Sequence, residues 1–315
     1  MRFSVVIPTF NRKHSLQHCL RAVTSQAYPD YEVIVVDDGS RDGTLEMVRS
    51  EFPKVICLQT GANCGPAAAR NRGIQAAGGD IIAFTDDDCV PPRDWLSNLA
   101  AGFEAYPEAG AVGGIQEPPE ETWKRNITAR FERYNTRNIY QLGDKVKIGY
   151  PLHVGTNNLA VRKQQIQALG GFDEEFPVAA GEDADLLDRF ARAGKPTVCL
   201  PMQVVHRREY TWPAFVSQQI QRGVGAAYFA AKRRNLRRPA WEAVRLIALP
   251  ILFWVDLFHS RSFSLAMISV ASRFFQALGR IKAYPRASAL VPHAEEWPEN
   301  TPGPQMRKNA SREHR

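Results

Sequence analysis

Cysteine is scarce in this 315-residue chain: Cys19, Cys57, Cys64, Cys89 and Cys199 are the only five, and none forms a C-x-x-C pair. An odd count at such spacings speaks against a disulfide framework or a structural zinc site, and for reduced thiols. Glycine-rich phosphate cradles are missing as well. There is no G-x-x-x-x-G-K-[ST], and no G-x-G-x-x-G follows the first apolar run, which excludes a P-loop protein and a classical dinucleotide fold. Long hydrophobic runs are absent from the C-terminal third. Two uncharged stretches there, Leu246 to Val255 and Ser262 to Ser272, cover ten and eleven residues, about half of the ~20 that a spanning helix needs. The N-terminus, Met1 to Pro8, holds an apolar run too short for a signal peptide. Reduced thiols and no signal peptide set the expectation of a cytoplasmic protein.

What the chain has in excess is positive charge, +7 overall with a pI of about 9.2. The excess is C-terminal: between Arg207 and Lys282 the acids are Glu209, Glu242 and Asp256 alone, against a long series of Arg and Lys. Such a distribution suggests an anionic partner. With basic residues flanking both short apolar stretches, the region reads as interfacial helices on an anionic membrane, as a helical hairpin packed on the body, or as a re-entrant pair.

Up to about Gln116 the sequence alternates short Val- and Ile-rich runs with helical stretches. Strands are predicted at Phe3 to Ile7, Glu32 to Val36, Val55 to Leu58, Asp80 to Phe84 and Ala111 to Gly114, each apolar on both faces as a doubly covered parallel sheet requires. Helix starts are signalled by Asp42, by Gly65 and by Asp94, and Gly78-Gly79 closes one helix. This βα rhythm predicts a Rossmann-like half with ligands at the carboxyl ends of its strands. Beyond it come a polar helical stretch, an extended segment from His153 to Val161, a helix led by Gly181-Glu182-Asp183, and two short strands at Thr197 to Leu200 and Gln203 to His206. The predicted organisation is an α/β body over 1–210, divided at 116 into the Rossmann-like half and a second half. A helical extension over 211–282 and a disordered tail over 283–315 complete it.

Three consecutive acids, Asp86, Asp87 and Asp88, follow the apolar run Ile81 to Phe84. Clustered carboxylates at a strand end repel one another, and a hard divalent cation bound through oxygen relieves the repulsion. In extended geometry Asp86 and Asp88 would share a face and Asp87 would point away. A second cluster, Asp37-Asp38-Gly39-Ser40, also ends a strand and falls on the same sheet edge. Either cluster is also compatible with an ordinary turn or helix cap.

The motifs Val5-Val6-Ile7-Pro8-Thr9-Phe10-Asn11-Arg12, Val35-Val36-Asp37-Asp38-Gly39-Ser40, Ala69-Arg70-Asn71-Arg72-Gly73 and Asp86-Asp87-Asp88, in this order, resemble the family 2 inverting glycosyltransferases. Gly155-Thr156-Asn157-Asn158-Leu159 and Gly181-Glu182-Asp183 resemble that family's acceptor-side segment and its "ED" motif. The resemblance covers roughly Arg2 to His206.

It implies a GT-A fold, a nucleotide-diphospho-sugar donor, a divalent cation (Mn²⁺ or Mg²⁺), and a glycan or lipid-linked acceptor. Nucleic acid is not an expected partner. By motif position, Asp38 reads the base, and Pro8, Thr9, Arg70 and Asp87 bind the nucleotide, Asp87 at the ribose. Asp88 holds the metal with Asp86 and His206 as further ligands, Asp183 is the general base, and Asn157, Asn158 and Glu182 lie on the acceptor side. His153 is an alternative to His206. Arg207 and Arg208 are candidates to neutralise the diphosphate, while Asp185 and Asp188 read as surface acids. A sugar-1-phosphate nucleotidyltransferase is the alternative enzyme, though its usual Gly-rich basic loop is absent. A catalytically silent glycan-binding or scaffold protein is the alternative of another class, and the intact acids argue against it.

Overall fold

The computed structural model describes residues 1–139, 141–152 and 154–291. The N-terminal half runs β1 (Phe3–Thr9), α1 (Lys13–Val23), β2 (Tyr31–Asp37), α2 (Thr44–Glu51), β3 (Ile56–Gln59), α3 (Pro66–Ala76), β4 (Ile81–Phe84), β5 (Cys89–Val90), α4 (Trp95–Ala105) and β6 (Ala111–Glu117). It continues through α5 (Glu120–Arg125), α6 (Ile127–Tyr134), β7 (Lys147–Gly149), β8 (Leu159–Arg162), α7 (Lys163–Ala168), α8 (Glu182–Arg192) and β9 (Thr197–His206). Four helices follow: α9 (Trp212–Lys232), α10 (Pro239–Ile247), α11 (Leu249–Ser260) and α12 (Phe263–Leu290).

The strands form one mixed sheet in the order β3-β2-β1-β4-β8-β6-β9-β5, with β7 also pairing on β9. β1 to β4 are mutually parallel. β8 runs antiparallel to both β4 and β6, and β6 is parallel to β9. The carboxyl ends of β1, β2, β4 and β9 therefore share one edge.

Side chains alternate across each strand, so successive residues feed two different cores. Phe3, Val5 and Ile7 pack with Leu16 and Leu20 of α1 and with Trp95 of α4. Val6, Ile34 and Val36 face the other way, against Ile74 of α3 and Leu186 of α8. The continuous apolar runs of the sequence are explained by this double cover. The exception is β3, at the sheet margin, where Ile56 stays exposed.

Two sequence expectations are corrected. The strands predicted at Thr197 to Leu200 and Gln203 to His206 are one strand, β9. Pro201, which has no N–H for the ladder, sits where the register with β6 shifts between Gly113 and Ile115, and the strand resumes beyond it. The tail expected from 283 begins inside α12. Ala283 and Ala287 are buried against Ala227, Tyr228 and Ala231 of α9, and this packing carries the helix through Pro285 to Leu290. Residues 292–315 and His153 lie outside the described residues.

α9 and α12 approach to backbone contact. A Cβ on Gly223 would lie 2.1 Å from the Gln276 carbonyl oxygen, and one on Gly279 2.1 Å from that of Ile220. The stretch Leu246 to Val255 breaks at Ala248, where α10 and α11 meet at a 55° bend, with Pro250 in the first turn of α11, where its missing N–H is tolerated. Both helices are inside out. The buried residue of α10 is Glu242 and that of α11 is Asp256, while Trp241, Ile247, Ile251, Trp254 and Phe258 are exposed by 55 to 81 %. Among the described residues no single helix is long and apolar enough to cross a membrane; α10 and α11 meet that test only together, across their bend.

Candidate active site

The shared carboxyl edge brings together Thr9, Asp37, Asp38, the triplet Asp86 to Asp88, and His206. β4 ends at Phe84 and the chain turns at once, closed by the Cys89 N–H donating to the Asp86 carbonyl at 3.0 Å. The turn overturns the extended-strand expectation for the triplet. Asp87 and Asp88, not Asp86 and Asp88, converge: Arg12 Nη1 donates to Asp87 Oδ1 at 3.3 Å and to Asp88 Oδ2 at 2.6 Å. Asp86 turns away and accepts from Arg70 Nη2 at 2.9 Å. Thr9 Oγ1 donates to Asp87 Oδ2 at 2.8 Å, while Pro8, beside it at the end of β1, is half-buried.

After the turn, β5 pairs antiparallel with β9, and Cys89 falls opposite His206. That register sets His206 Nε2 3.1 Å from Asp88 Oδ1. Burial alone would raise the Asp88 carboxyl; the facing His206 and Arg12 outweigh it and hold it well below the usual carboxylate range. Burial works to lower His206, yet the charge and hydrogen bond of Asp88 win and raise it. Burial pushes Asp87 up to about 7 against the pull of Arg12, and Asp88 adds to the rise.

Asp88, Cys89 and His206 offer ligand atoms within 4.8 Å of one another. Burial and the neighbouring acids hold the Cys89 thiol well above its ordinary pKa, and a soft sulfur donor suits a hard, oxygen-seeking cation least of the three. Asp88 and His206 remain, an oxygen and a nitrogen donor facing each other, and His206 Nδ1 is buried with no hydrogen-bond partner. This donor set, beside a second carboxylate in Asp87, fits a divalent cation.

Asp38 is buried and already engaged. Its carboxylate accepts from Thr60 Oγ1 at 2.6 Å, the Cys64 N–H at 3.0 Å and the Gly65 N–H at 2.8 Å, fixing the loop that leads into α3. Arg70, expected at the nucleotide, is 4 % exposed. Its Nη1 donates to Glu182 Oε1 and its Nη2 to Asp86 Oδ1, both at 2.9 Å, so it ties α3 and the acid triplet to the start of α8.

Glu182 lies in the first turn of α8, buried. Burial, then the adjacent Asp183 charge, push its carboxyl up against the opposing Arg70. Asp183 is half-buried, and its Oδ1 accepts from the Ala184 N–H at 2.7 Å. The preceding Gly181 has φ +98°, and a Cβ on Gly225 of α9 would lie 2.0 Å from the Ala180 carbonyl oxygen. The loop leading into Glu182 and Asp183 thus rests directly on the α9 backbone.

Further expectations are corrected here. Asn158 is fully buried and spent: it accepts from Trp95 Nε1 at 2.8 Å and donates to the Ile115 carbonyl at 2.9 Å. It braces the sheet and is not open to an acceptor. Asn157 is buried at 8 %, and its carbonyl accepts from Thr85 Oγ1. Asp185 and Asp188 are buried, not surface, acids; Asp185 pairs with Arg189, and Asp188 pairs with Arg192 and with Arg233, just past α9. Arg208 pairs with Glu132 of α6, whereas Arg207 is exposed and lines a cavity of about 280 Å³ with Asp88, His14, Ser15 and His18. Sequence reading assigned no role to Arg12, His14 or His18; their positions three to nine residues past the end of β1, the strand beside β4, were the available signal.

A Rossmann-like mixed sheet with an acid-lined carboxyl edge and a C-terminal helical region defines an α/β protein of the GT-A type. The sequence profile of glycosyl transferase family 2 matches residues 4–166, just over half of the chain, and the chain belongs to that family. It is 37 % identical over 198 residues to glycosyltransferase AglE of Haloferax volcanii, covering 61 % of this chain and 62 % of that protein. It is 33 % identical over 136 residues to the undecaprenyl-phosphate 4-deoxy-4-formamido-L-arabinose transferase of Aeromonas hydrophila, covering 41 % of each. The chain thus spans less than two thirds of the length of these relatives. Among solved structures, the mannosyltransferase PcManGT from Pyrobaculum calidifontis, in complex with GDP-Man and Mn²⁺, shares the fold at a TM-score of 0.60 and 21 % identity, covering 94 % of this chain and 88 % of that one.

Proposed function

We propose that this protein is an inverting glycosyltransferase that moves a sugar from a nucleotide-diphosphate donor to a hydroxyl of a lipid-linked or glycan acceptor, with Asp183 as general base. The observation that carries the reading is the Arg70 bridge. It sets the Glu182–Asp183 end of α8 against the acid triplet, so that a base and a diphosphate-side acid cluster face one site.

In this reading Asp38 and the Thr9 region hold the nucleotide and Asp87 the ribose. Asp88 and His206 hold a divalent cation, with Asp86 nearby. When bound, the cation supplies neutralisation of the departing diphosphate. The chain's own residues do the rest. Arg207, exposed beside Asp88, adds positive charge on the leaving-group side. Asp183 receives the acceptor proton as the oxygen approaches the face of the sugar opposite the diphosphate, and its position matters more than its basicity because the anomeric carbon is already cationic. Residues 1–210 form the catalytic body, with donor and acceptor halves meeting near 116, and 211–282 form its helical extension.

The inside-out helices α10 and α11, rimmed by Arg, support peripheral attachment at the inner face of an anionic membrane. The test is release of nucleoside diphosphate from a panel of nucleotide sugars, with Mn²⁺, with Mg²⁺ and with chelator. Metal-dependent release from at least one donor is expected. No metal-dependent release from any donor would sink the proposal.

A further inference from the structure

A cavity of about 270 Å³ opens between α9, α10 and α12, far in sequence from the acid edge. Its polar lining is Asn235, Arg237, Glu242, Arg245, Arg280 and Tyr284. Glu242, 3 % exposed, uses both carboxylate oxygens: Oε1 accepts from Arg245 Nη1 and Oε2 from Arg280 Nε, each at 2.8 Å. One carboxylate thereby orients two guanidiniums by one nitrogen apiece, and Arg237 brings a third. The formal charge of the cavity is therefore positive by two.

The surroundings say which anion this suits. Trp241, on the same helix as Glu242 and Arg245 and under the Arg237 guanidinium at 5.7 Å, is 55 % exposed. The apolar face continues from it through Ile247, Trp254 and Phe258. The acids of this region, Glu242 and Asp256, are both turned inward and paired, Asp256 with Arg273. What faces outward is apolar and cationic, which repels a second copy of itself and suits an anionic lipid surface.

We infer that the Arg237, Arg245 and Arg280 cavity is a binding site for the phosphate monoester headgroup of a membrane lipid whose hydrocarbon lies along the exposed face of α10 and α11. A phosphate monoester carries close to two negative charges near neutral pH, matching the cavity, and planar guanidiniums are the side chains best suited to its oxygens. The inference deepens the membrane part of the function proposed above, and it does not depend on which sugar, or whether any sugar, is transferred.

The experiment is flotation of the full chain with phosphatidylcholine vesicles carrying either phosphatidic acid, a monoester, or phosphatidylglycerol, a diester, adjusted to the same surface potential. Stronger binding to the phosphatidic acid vesicles is expected, and Arg237→Gln or Arg245→Gln should each remove roughly fivefold of that binding. Both side chains are exposed, that of Arg245 by 49 %, and Glu242 keeps Arg280 in the Arg245 variant, so folding survives; a thermal melt checks this. Arg261→Gln, exposed just past α11 and outside the cavity lining, should weaken both vesicle types alike. Equal binding to the two vesicle types, or a preference that survives both cavity variants, overturns the site. Displacement by millimolar inorganic phosphate as effective as by short-chain phosphatidic acid overturns the lipid as its occupant. Nucleoside diphosphate release in the absence of lipid should be unchanged in Arg245→Gln. If no donor is turned over while the monoester preference persists, only the transferase reading falls.

Discussion

Arg70 Nη1 lies 2.9 Å from Glu182 Oε1, a contact between residues 112 positions apart in the chain. With its second nitrogen on Asp86, Arg70 is the tie between the N-terminal half of the sheet and the helix that carries Asp183.

Arg70→Met would leave the Glu182 carboxyl buried without its ion-pair partner. Breaking a buried pair from one side costs about 3–5 kcal/mol, so the urea midpoint should fall sharply. Arg70→Lys should recover only part of the loss, because one ammonium does not reproduce the two-carboxylate fork. A midpoint unchanged in Arg70→Met would show that the tie carries little of the fold.

Asp183→Asn should reduce transfer by about 10²- to 10⁴-fold, the range of general base catalysis, while titration with donor shows unchanged affinity. Near-normal turnover would move the base elsewhere, with Glu182 as the next residue to substitute.

The acid edge predicts how stability depends on pH. Asp87 is raised from about 4 to about 7 in the folded chain and His206 is raised as well, so the folded state binds more protons than the unfolded one across this range. Stability contributed by these groups is complete below their unfolded pKa values and is lost as pH rises through the folded ones. The metal-free melting temperature should therefore fall between pH 5 and pH 8, and Asp87→Asn should flatten that slope. An Asp87→Asn variant with the same slope as the parent would exclude Asp87 as its source.

Ile247→Glu together with Phe258→Glu should lower binding to phosphatidylglycerol vesicles several-fold, since both side chains are mostly exposed, 78 and 81 %. Melting temperature should hardly move, as surface substitutions of this kind cost within about 0.5 kcal/mol. A large drop in melting temperature with retained vesicle binding would assign these residues to the fold instead.

Much of the sheet was readable because β1, β2 and β4 must be apolar on both faces, and the acids at their ends interrupt that pattern abruptly. Asp88 and His206 could each be singled out from sequence. Their 3.1 Å contact could not, since it depends on the register that sets Cys89 opposite His206. Arg12 was obscure, and Arg70 was placed at the nucleotide without its carboxylate partners, for a related reason: a long guanidinium finds its carboxylate through tertiary distance, and Asp86 and Asp88 choose different arginines only once the chain has turned. Asn158 misled because a motif position says nothing about whether an amide's donors and acceptor are already taken, here by Trp95 and Ile115. The end of α12 was missed because Ala283 and Ala287 look like weak tail residues until α9 is beside them.

The seam along α9 has a mechanical consequence. At Gly223 and at Gly225 this helix meets its neighbours backbone to backbone, with no long side chain between them to yield. A cushion of flexible side chains would let the C-terminal helices tilt while the cleft stayed still. Without that cushion, a tilt imposed on α12 is carried through α9 to the loop before Asp183, so in the membrane attachment proposed above the angle of docking would also aim the site.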